Sequence, residues 1–257
     1  MIDKSQINNV QPEPQTVSDT QPIVIQSGPA IGNTLVVGST VILGDCVQLM
    51  KEYEDNTFDL AIVDPEYGIN AALKISYHAN ALTNYTKKHW DKKIPDETYF
   101  EQLFRVSKHQ IIWGGNYFSD FLPPMPKWIV WDKMQPEGID QAMFELAWNS
   151  NTKKQSKIYR QSAQSNANKV ANNKELAKKY IRFHPTQKPV KLYKWLLKNY
   201  ADEGFKILDT HLGSQSSRIA ADEMGFDFTG IEIDPEYYER GNKRFKQYKS
   251  QLRIEGW

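Results

Sequence analysis

The chain has 257 residues, with 32 Lys and Arg against 31 Asp and Glu and a formal net charge of +1. This length allows one large domain with an insert, or two small ones, and is enough to bury a sizeable core. No apolar stretch approaches the roughly 20 residues that a membrane-spanning helix needs, and the first residues lack the basic-then-apolar pattern of a secretory signal. Cys46 is the only cysteine, so an internal disulfide and a cysteine-based metal cluster are excluded. We therefore expect a cytoplasmic protein without membrane contacts or a bound metal.

The chain begins with a polar segment and continues with an alternating run. Residues 1–33 are rich in Gln, Pro, Ser and Asn without periodicity, which predicts a flexible leader. Residues 35–43 combine alternating and apolar stretches and end at a Gly-Asp pair. This pattern predicts a strand, followed by a helix over 46–53 with Asp45 as its N-cap.

The tetrapeptide Asp64-Pro65-Glu66-Tyr67 follows a second apolar run, Phe58–Val63. The run is short and closed by a proline, so it predicts a buried strand that ends at Asp64. A carboxylate, a carbonyl outside the ladder and an aromatic ring then meet at one strand end. Asp64 and the Pro65 carbonyl can accept the two hydrogens of an exocyclic amine, while Tyr67 stacks on the attached ring. A plain turn opened by Asp-Pro is the alternative.

The middle of the chain predicts a long loop, a helix and three strands. Residues 68–95 lack periodicity, and their mixture of basic and aromatic side chains suits a lid over a flipped nucleotide. Asp96 is placed to cap the helix that follows. Apolar runs predict strands over 110–113, 128–131 and 143–148. Gly114, after the first of them, allows either a close approach of the backbone or a plain turn.

A basic block lies between residues 151 and 182. Nine Lys or Arg occur there with one acid, Glu175, which gives a local charge of +8 and leaves −7 for the rest of the chain. Such a block, rich in Asn, Gln and Ser, indicates phosphate binding, and it is also typical of a solvated loop that orders on nucleic acid. We expect phosphate contacts from Lys153, Lys154, Lys157 and Arg160.

Two further clusters lie in the last third of the chain. Residues 184–189 (HPTQKP) contain two prolines that fix a loop with exposed polar groups, and a helix is predicted over Val190–Tyr200. Lys206–Asp209 then predicts a short strand. It is followed by a small-residue loop, a helix stopped by Gly225, and a strand over 226–233.

The order strand, small-residue loop, helix, strand and acid holds a ribose in dinucleotide-binding folds. Glu232 lies 23 residues after Asp209, where the ribose-binding acid is expected. The loop has one glycine, Gly213, and so lacks the spacing that cradles phosphates. This favours a ligand without phosphates, such as S-adenosylmethionine, and an ordinary crossover unit is the alternative.

Taken together, the three motifs resemble those of the amino-methylating DNA methyltransferases in their permuted beta arrangement. In that family the catalytic tetrapeptide comes first, the target-recognition region next and the cofactor loop last, which is the order over residues 35–250 here. The resemblance implies an α/β fold: a Rossmann-like, doubly wound, mostly parallel seven-stranded sheet with a small target-recognition insert. The implied parts are a flexible leader (1–33), a catalytic half (34–133), the basic insert (134–183) and a cofactor-binding half (184–257).

The resemblance also implies the activity, a site-specific transfer of a methyl group from S-adenosylmethionine to the 6-amino group of adenine in double-stranded DNA. An aspartate at the head of the tetrapeptide favours adenine, since family members that act on cytosine more often have serine there. The alternatives are a cytosine 4-amino DNA methyltransferase, an RNA methyltransferase and a degenerate DNA-binding homologue without catalysis. Family members are often dimers, and a homodimer and a cognate restriction endonuclease are both open as partners.

The resemblance assigns catalysis to Asp64, Pro65 and Tyr67. The implied cofactor contacts are Asp45, Asp64, Thr186, Lys188, Asp209, His211, Gly213, Ser214, Gln215, Ser216 and Glu232.

The chain departs from the family pattern at both loops. The family tetrapeptide is usually Asp-Pro-Pro-Tyr, and Glu66 stands here in place of the second proline. The family cofactor loop usually begins Asp-Pro-Phe, whereas this chain has Thr210 and His211 after the aspartate, and Gln215 replaces a later glycine. The groups expected to hold the amine are kept, so we expect an active enzyme.

Overall fold

The computed structural model describes residues 24–26, 38–69, 91–138, 142–162, 184 and 186–252. The strands are β1 (Val24–Gln26), β2 (Ser39–Leu43), β3 (Phe58–Val63), β4 (Ser107–Trp113), β5 (Trp128–Asp132), β6 (Phe144–Asn149), β7 (Lys157–Arg160), β8 (Lys206–Asp209) and β9 (Asp227–Glu232). The helices are α1 (Cys46–Met50), α2 (Glu97–Val106), α3 (Val190–Tyr200), α4 (Ser216–Met224) and α5 (Pro235–Leu252), and a 3₁₀ turn spans Gly115–Tyr117.

The strands form one sheet in the order β1-β2-β9-β8-β3-β4-β6-β5-β7. From β2 to β4 all neighbours are parallel, and β6 is antiparallel to both β4 and β5. β3 and β8 lie side by side in the middle, and the chain proceeds from them in opposite directions, to β4 and to β9. This reversal of strand order confirms the doubly wound, mostly parallel α/β fold.

The central strand β3 is buried on both faces, which explains its nearly continuous apolar sequence. Because side chains alternate along a strand, Leu60 and Ile62 pack with buried residues of α3 and α4, whereas Ala61 and Val63 pack with those of α1 and α2. Each large aliphatic side chain buried in this way contributes roughly 1.5–3 kcal/mol. The two layers fix β3, and with it the position of Asp64 at its end.

Two strands lie where the sequence predicts none, which accounts for nine strands among the described residues where seven were expected. β1 lies inside the predicted leader and pairs antiparallel with β2, and β7 lies inside the basic insert and pairs parallel with β5. Both are short strands at the two edges of the sheet, and pairing with an exposed neighbour forms them rather than a local pattern. The flexible leader is therefore wrong at Val24–Gln26, and the solvated loop is wrong at Lys157–Arg160.

Local sequence signals explain where the helices begin and end. Asp96 caps α2, since its side chain accepts a hydrogen bond from the Tyr99 amide at 3.2 Å. α4 stops at Gly225, which has a left-handed φ of +74°. The sequence analysis missed α5, which Asp234 caps with hydrogen bonds to two backbone amides. Seven of the 18 residues of that helix are charged, so its apolar stripe is easily overlooked.

Some predictions concern parts of the chain outside the described residues. They are most of the lid over 68–95 and the basic residues Lys169, Lys174, Lys178, Lys179 and Arg182 of the insert. Within the part that is described, not one helix combines the length and the apolar character needed to cross a membrane.

Arg218 is buried where α4, α5 and β2 meet. Its Nε donates to Ser39 Oγ at 2.7 Å, and its Nη1 donates to Gln215 Oε1 at 2.9 Å and to Asn242 Oδ1 at 2.8 Å. The guanidinium also lies 3.8 Å from the centre of the Phe245 ring. This network joins the first strand after the leader to the last helix.

We expect Arg218→Leu to destabilise the fold by about 2–4 kcal/mol, because buried acceptors lose their donors. Chemical denaturation measures this loss. The control is Arg240→Leu, which removes a partly exposed pair with Glu236 and should cost about 0.5 kcal/mol. Equal losses in the two variants would contradict the role given to the buried network.

Candidate active site

A cavity of about 990 Å³ opens at the carboxyl ends of the parallel strands, beside the reversal between β3 and β8. Open α/β sheets bind ligands at this point, and ligand sites commonly have volumes of roughly 300–1,000 Å³. Its walls include residues 44–47 after β2, 64–67 after β3, 210–214 after β8 and 232–234 at the end of β9.

Asp64 comes directly after β3, where Pro65 prevents further pairing. Its Oδ1 accepts a hydrogen bond from the Tyr67 hydroxyl at 2.6 Å, and its Oδ2 lies 2.5 Å from the Lys188 ammonium. A carboxylate offers about four acceptor positions. Asp64 therefore has acceptor capacity beyond these two contacts.

Lys188 is buried between two carboxylates. Besides Asp64, its ammonium lies 3.0 Å from Glu145 Oε2, and Glu145 Oε1 lies 2.6 Å from Lys133 Nζ. Burial alone would lower the pKa of Lys188, but Asp64 and Glu145 together raise it above its usual value. Burial also opposes ionisation of Glu145, but Lys188 and Lys133 lower the pKa of that carboxyl. Lys188 and Glu145 are both charged at neutral pH, and the row of ion pairs fixes the Asp64 side chain.

Tyr67 lies against the backbone of Gly114. A Cβ at Gly114 would fall 2.2 Å from the Tyr67 ring, and its φ of +70° also favours glycine. The ring stacks on Tyr117, with centroids 5.0 Å apart and planes 14° apart. Burial, with the charges of Asp64 and Glu145, raises the pKa of Tyr67 well above its usual range, so its hydroxyl stays protonated and donates to Asp64.

Glu232 ends β9, two strands away from β3 in the sheet. Its Oε2 accepts a hydrogen bond from the Gly213 amide at 2.6 Å, and its Oε1 accepts one from the Asp234 amide at 2.9 Å. Burial raises the pKa of Glu232 to about 7. The same loop passes close to His184, since a Cβ at Gly213 would lie 3.2 Å from the His184 Nε2. Glu232 thus shapes the loop after β8 and lines the cavity with it.

Glu66 and His211 connect the loop after β3 with the loop after β8. Their Oε2 and Nε2 atoms are 3.3 Å apart. Burial alone would lower the pKa of His211, but Glu66, Asp209 and Glu232 raise it. Burial alone would raise the pKa of Glu66, but His211, with a smaller effect from His184, lowers it. Each member of the pair therefore favours the charged form of the other.

The cavity brings ten of the predicted site residues together. They are Asp45, Asp64, Pro65, Tyr67, Thr186, Lys188, His211, Gly213, Ser214 and Glu232. Asp45 is also the cap of α1, because its Oδ1 accepts a hydrogen bond from the Gln48 amide at 3.0 Å. Thr186 is oriented by His184, with Oγ1 and Nδ1 3.2 Å apart.

Three residues with predicted cofactor contacts do not line the cavity. Asp209 is buried beneath the loop, where Ser217 donates to its Oδ2 at 2.5 Å and where burial raises its pKa to about 6. Gln215 is fully buried and points towards α5, and Ser216 Oγ accepts from Arg244 at 2.9 Å. The three residues thus support the loop from behind, and their contacts with a cofactor stay predictions.

Three lysines that are predicted to bind phosphates lie at the sheet edge opposite the cavity: Lys153, Lys154 and Lys157. β6 runs antiparallel to β4 and carries the chain away from the cavity, so residues 150–156 lie near the amino ends of the parallel strands. Lys154 pairs there with Asp202, which follows α3, at 3.1 Å. Because a six-residue strand spans about 17–20 Å, these lysines lie well away from Asp64, and their contacts with DNA phosphates stay a prediction.

Arg160 lies at the cavity edge of the sheet, because β7 runs parallel to β5 and brings the chain back. Its Nε is 3.2 Å from Asp132 Oδ2, at the end of β5. His184, after the basic insert, lines the cavity. Arg160, inside the basic insert, and His184, directly after it, therefore both lie at the cavity edge of the sheet.

Sequence analysis missed Glu145, Lys133 and Tyr117, all of which line the cavity. An acid inside the otherwise apolar run of β6 was the available signal for Glu145. For Tyr117 the signal was an aromatic residue after the glycine pair that follows β4. Among the residues that the structure describes, no group of three or more His, Cys, Asp or Glu side chains could hold a metal ion.

Residues 123–243 match a family model described as DNA methylase, whose scope includes N6 and N4 methyltransferases. The Type II methyltransferase M2.MboI of Moraxella bovis is 21% identical over 254 residues, covering 82% of this chain and 89% of that protein. The Type II methyltransferase M.HpaI of Haemophilus parainfluenzae is 24% identical over 236 residues, covering 79% of this chain and 73% of that protein.

Two solved structures share the fold at low identity. PvuII DNA methyltransferase, described as cytosine-N4-specific, has a TM-score of 0.52 at 16% identity and covers 80% of this chain and 86% of its own. M1.HpyAVI in complex with S-adenosylmethionine has a TM-score of 0.50 at 18% identity, and the match covers 80% of this chain and 98% of that protein. The family match and the curated relatives together support a DNA methyltransferase.

Proposed function

We propose that this protein transfers a methyl group from S-adenosylmethionine to the 6-amino group of adenine in double-stranded DNA. One observation carries the proposal: Asp64, fixed by Lys188, and Glu232, fixed by two backbone amides, line the same cavity at the reversal of strand order. Asp64 can accept a hydrogen bond from the target amine, and Glu232 can accept hydrogen bonds from the hydroxyls of a ribose.

The cavity fits the cofactor by its chemistry. Glu232 uses one acceptor position on each oxygen for the backbone, so both oxygens can accept ribose hydroxyls as well. Glycine at position 213 keeps the loop close to the ligand space, where a side chain would meet His184. The cavity has a volume of about 990 Å³, near the upper end of the roughly 300–1,000 Å³ of ordinary ligand sites. This volume leaves room for a base beside the cofactor.

Catalysis by this chain is mainly positioning. When bound, S-adenosylmethionine supplies a methyl carbon made electrophilic by its sulfonium. The 6-amino group of adenine is a poor nucleophile, because its lone pair is delocalised into the ring. Asp64 and the Pro65 carbonyl accept hydrogen bonds from its two N–H groups and turn the lone pair out of the ring plane, towards the side of the cavity where Glu232 lies. The nitrogen would bond to the methyl carbon as the bond from that carbon to sulfur breaks, and the proton lost from the methylated nitrogen would pass to Asp64 or to solvent. Fixed dipoles and charges of this kind need no reorganisation during the reaction.

The target base has to leave the duplex to reach Asp64, at a cost of a few kcal/mol. Stacking on an aromatic ring recovers about 1–3 kcal/mol. Tyr117 is stacked on one face of the Tyr67 ring, so a base can stack on that face only after Tyr117 has moved away. Tyr117 is 43% exposed and ends a three-residue 3₁₀ turn, so this movement disturbs few contacts.

DNA approaches from the cavity edge in this proposal. Arg160 and the flanks of the basic insert lie there, and the excess of basic residues between 151 and 182 favours phosphates. Adenine is proposed over cytosine because of the aspartate at the head of the tetrapeptide. A restriction–modification role, with a nuclease of the same recognition sequence, fits the Type II names of both curated relatives.

Asp64→Asn tests the proposed reaction while keeping the size of the side chain. We expect methyl transfer to fall by about 10²–10³-fold, because a fixed acceptor at the reacting amine is lost. The dissociation constant for S-adenosylmethionine should stay within about threefold, which calorimetry measures. The control Asp55→Asn changes a 71% exposed, remote carboxylate and should leave turnover unchanged. Near-normal turnover of Asp64→Asn would contradict the assignment.

The pKa of about 7 for Glu232 predicts a pH dependence of cofactor binding. Above this pH the side chain is a carboxylate that accepts from ribose hydroxyls, and below it protonation removes the charge, so the dissociation constant should rise as the pH falls from 8 to 6. Glu232→Gln should bind several-fold more weakly at pH 8 and respond less to pH. Equal profiles for wild type and variant would remove Glu232 from the cofactor site.

A further inference from the structure

The two main departures from the family pattern are in contact with each other. Glu66 stands in the tetrapeptide where a proline is usual, and His211 stands in the cofactor loop where a phenylalanine is usual. They are 145 positions apart in sequence, and their Oε2 and Nε2 atoms are 3.3 Å apart. β3 and β8, the strands that precede them, are neighbours in the sheet. The acid at one departure, Glu66, therefore contacts the base at the other, His211.

The imidazole of His211 is held on both nitrogens. Its Nδ1 lies 2.9 Å from Thr210 Oγ1, which in turn lies 2.8 Å from the Tyr99 hydroxyl oxygen. A carboxylate only accepts hydrogen bonds, so the hydrogen between His211 and Glu66 is on Nε2. The Tyr99 ring also contacts the imidazole edge-on, with centroids 5.2 Å apart. Thr210, the other departure at the start of this loop, is thus part of the same arrangement.

The pair lies where the reacting groups have to meet. Glu66 follows Pro65, whose carbonyl is proposed to hold the amine, and His211 precedes the loop that Glu232 shapes. Both side chains line the cavity. A proline facing a phenylalanine would make an apolar contact across this gap, whereas a carboxylate or an imidazole left alone there is a partly buried polar group that has lost its contact across the gap.

We propose that Glu66 and His211 act as one positioning unit that sets the spacing between the catalytic loop and the cofactor loop. The inference rests on the proposed function. The unit acts through Pro65 and Gly213 rather than on the substrates themselves. It requires both members, so the loss of both disturbs cofactor binding and transfer less than the two single losses combined.

A double-mutant cycle tests this coupling, with Glu66→Gln, His211→Phe and the double variant. The measurements are the dissociation constant for S-adenosylmethionine, and kcat and KM on a DNA duplex. Glu66→Gln removes the charge that faces His211, and His211→Phe leaves the partly buried Glu66 carboxylate without its donor, so each should weaken cofactor binding by about tenfold. The double variant should bind at least about fivefold better than the product of the single losses. If the wild-type protein binds the cofactor and transfers the methyl group, additive losses of cofactor binding in the double variant would contradict the proposed pair.

The family-like combination provides a rescue test. Glu66→Pro alone removes the carboxylate and leaves His211 without it, whereas Glu66→Pro with His211→Phe gives the apolar contact of the usual pattern. We expect the double variant to regain at least about fivefold in kcat over Glu66→Pro. A double variant no better than the single one would contradict a coupled pair. The control Glu223→Gln, in an exposed pair with Lys194, should change neither constant.

A second readout does not depend on catalysis. Glu66→Gln should lower the pKa of His211, because it removes the neighbouring negative charge that does most to raise it. NMR of the histidine rings follows this titration, and His211→Phe identifies the signal. The other groups that act on His211 are Asp209 and Glu232, and His184 acts on Glu66. An unchanged pKa of His211 in Glu66→Gln would contradict the coupled pair but not the proposed function. A wild-type protein that binds no cofactor would instead contradict the proposed function.

Discussion

Parallel pairing of β3 with β8 is the constraint on which the rest of the site depends. The register places Leu60 opposite Ile207 and Ala61 opposite Leu208, so two segments far apart in the chain end at the same edge of the sheet. Because the chain leaves these strands in opposite directions, a crevice opens between the loops that follow them. The proposed amine-binding loop and the proposed cofactor loop face each other for this reason. The contact between Glu66 and His211 spans the same crevice.

The charges around the crevice are arranged in two ways. Asp64 and Glu66 each face a cation, Lys188 and His211, on a different element of the fold. Asp209 and Glu232 instead accept hydrogen bonds from backbone amides, and burial raises their pKa values to about 6 and about 7. The negative charge of the crevice therefore grows as the pH rises through neutrality. A crevice of this kind attracts a cationic ligand, and the sulfonium of the proposed cofactor is one.

Local sequence patterns predicted the elements that are buried on both faces and missed those that depend on a partner. The runs Phe58–Val63 and Lys206–Asp209 were predicted with their observed ends, because an apolar run closed by a polar residue defines a central strand. β1 and β7 escaped prediction because an exposed neighbouring edge forms them. Motifs located Asp64 and Glu232, but the position of Glu145 against Lys188 follows from the antiparallel return of β6, which no local pattern contains.

Mass analysis of nucleosides from duplex DNA incubated with isotope-labelled S-adenosylmethionine tests the central claim most directly. Protein purified without nuclease activity is mixed with unmethylated DNA, and the digest is searched for labelled 6-methyladenine and 4-methylcytosine. Labelled 6-methyladenine is the predicted product. Labelled 4-methylcytosine in its place would contradict the proposed base, and no labelled nucleoside from a protein that binds the cofactor would contradict the proposed transfer to DNA.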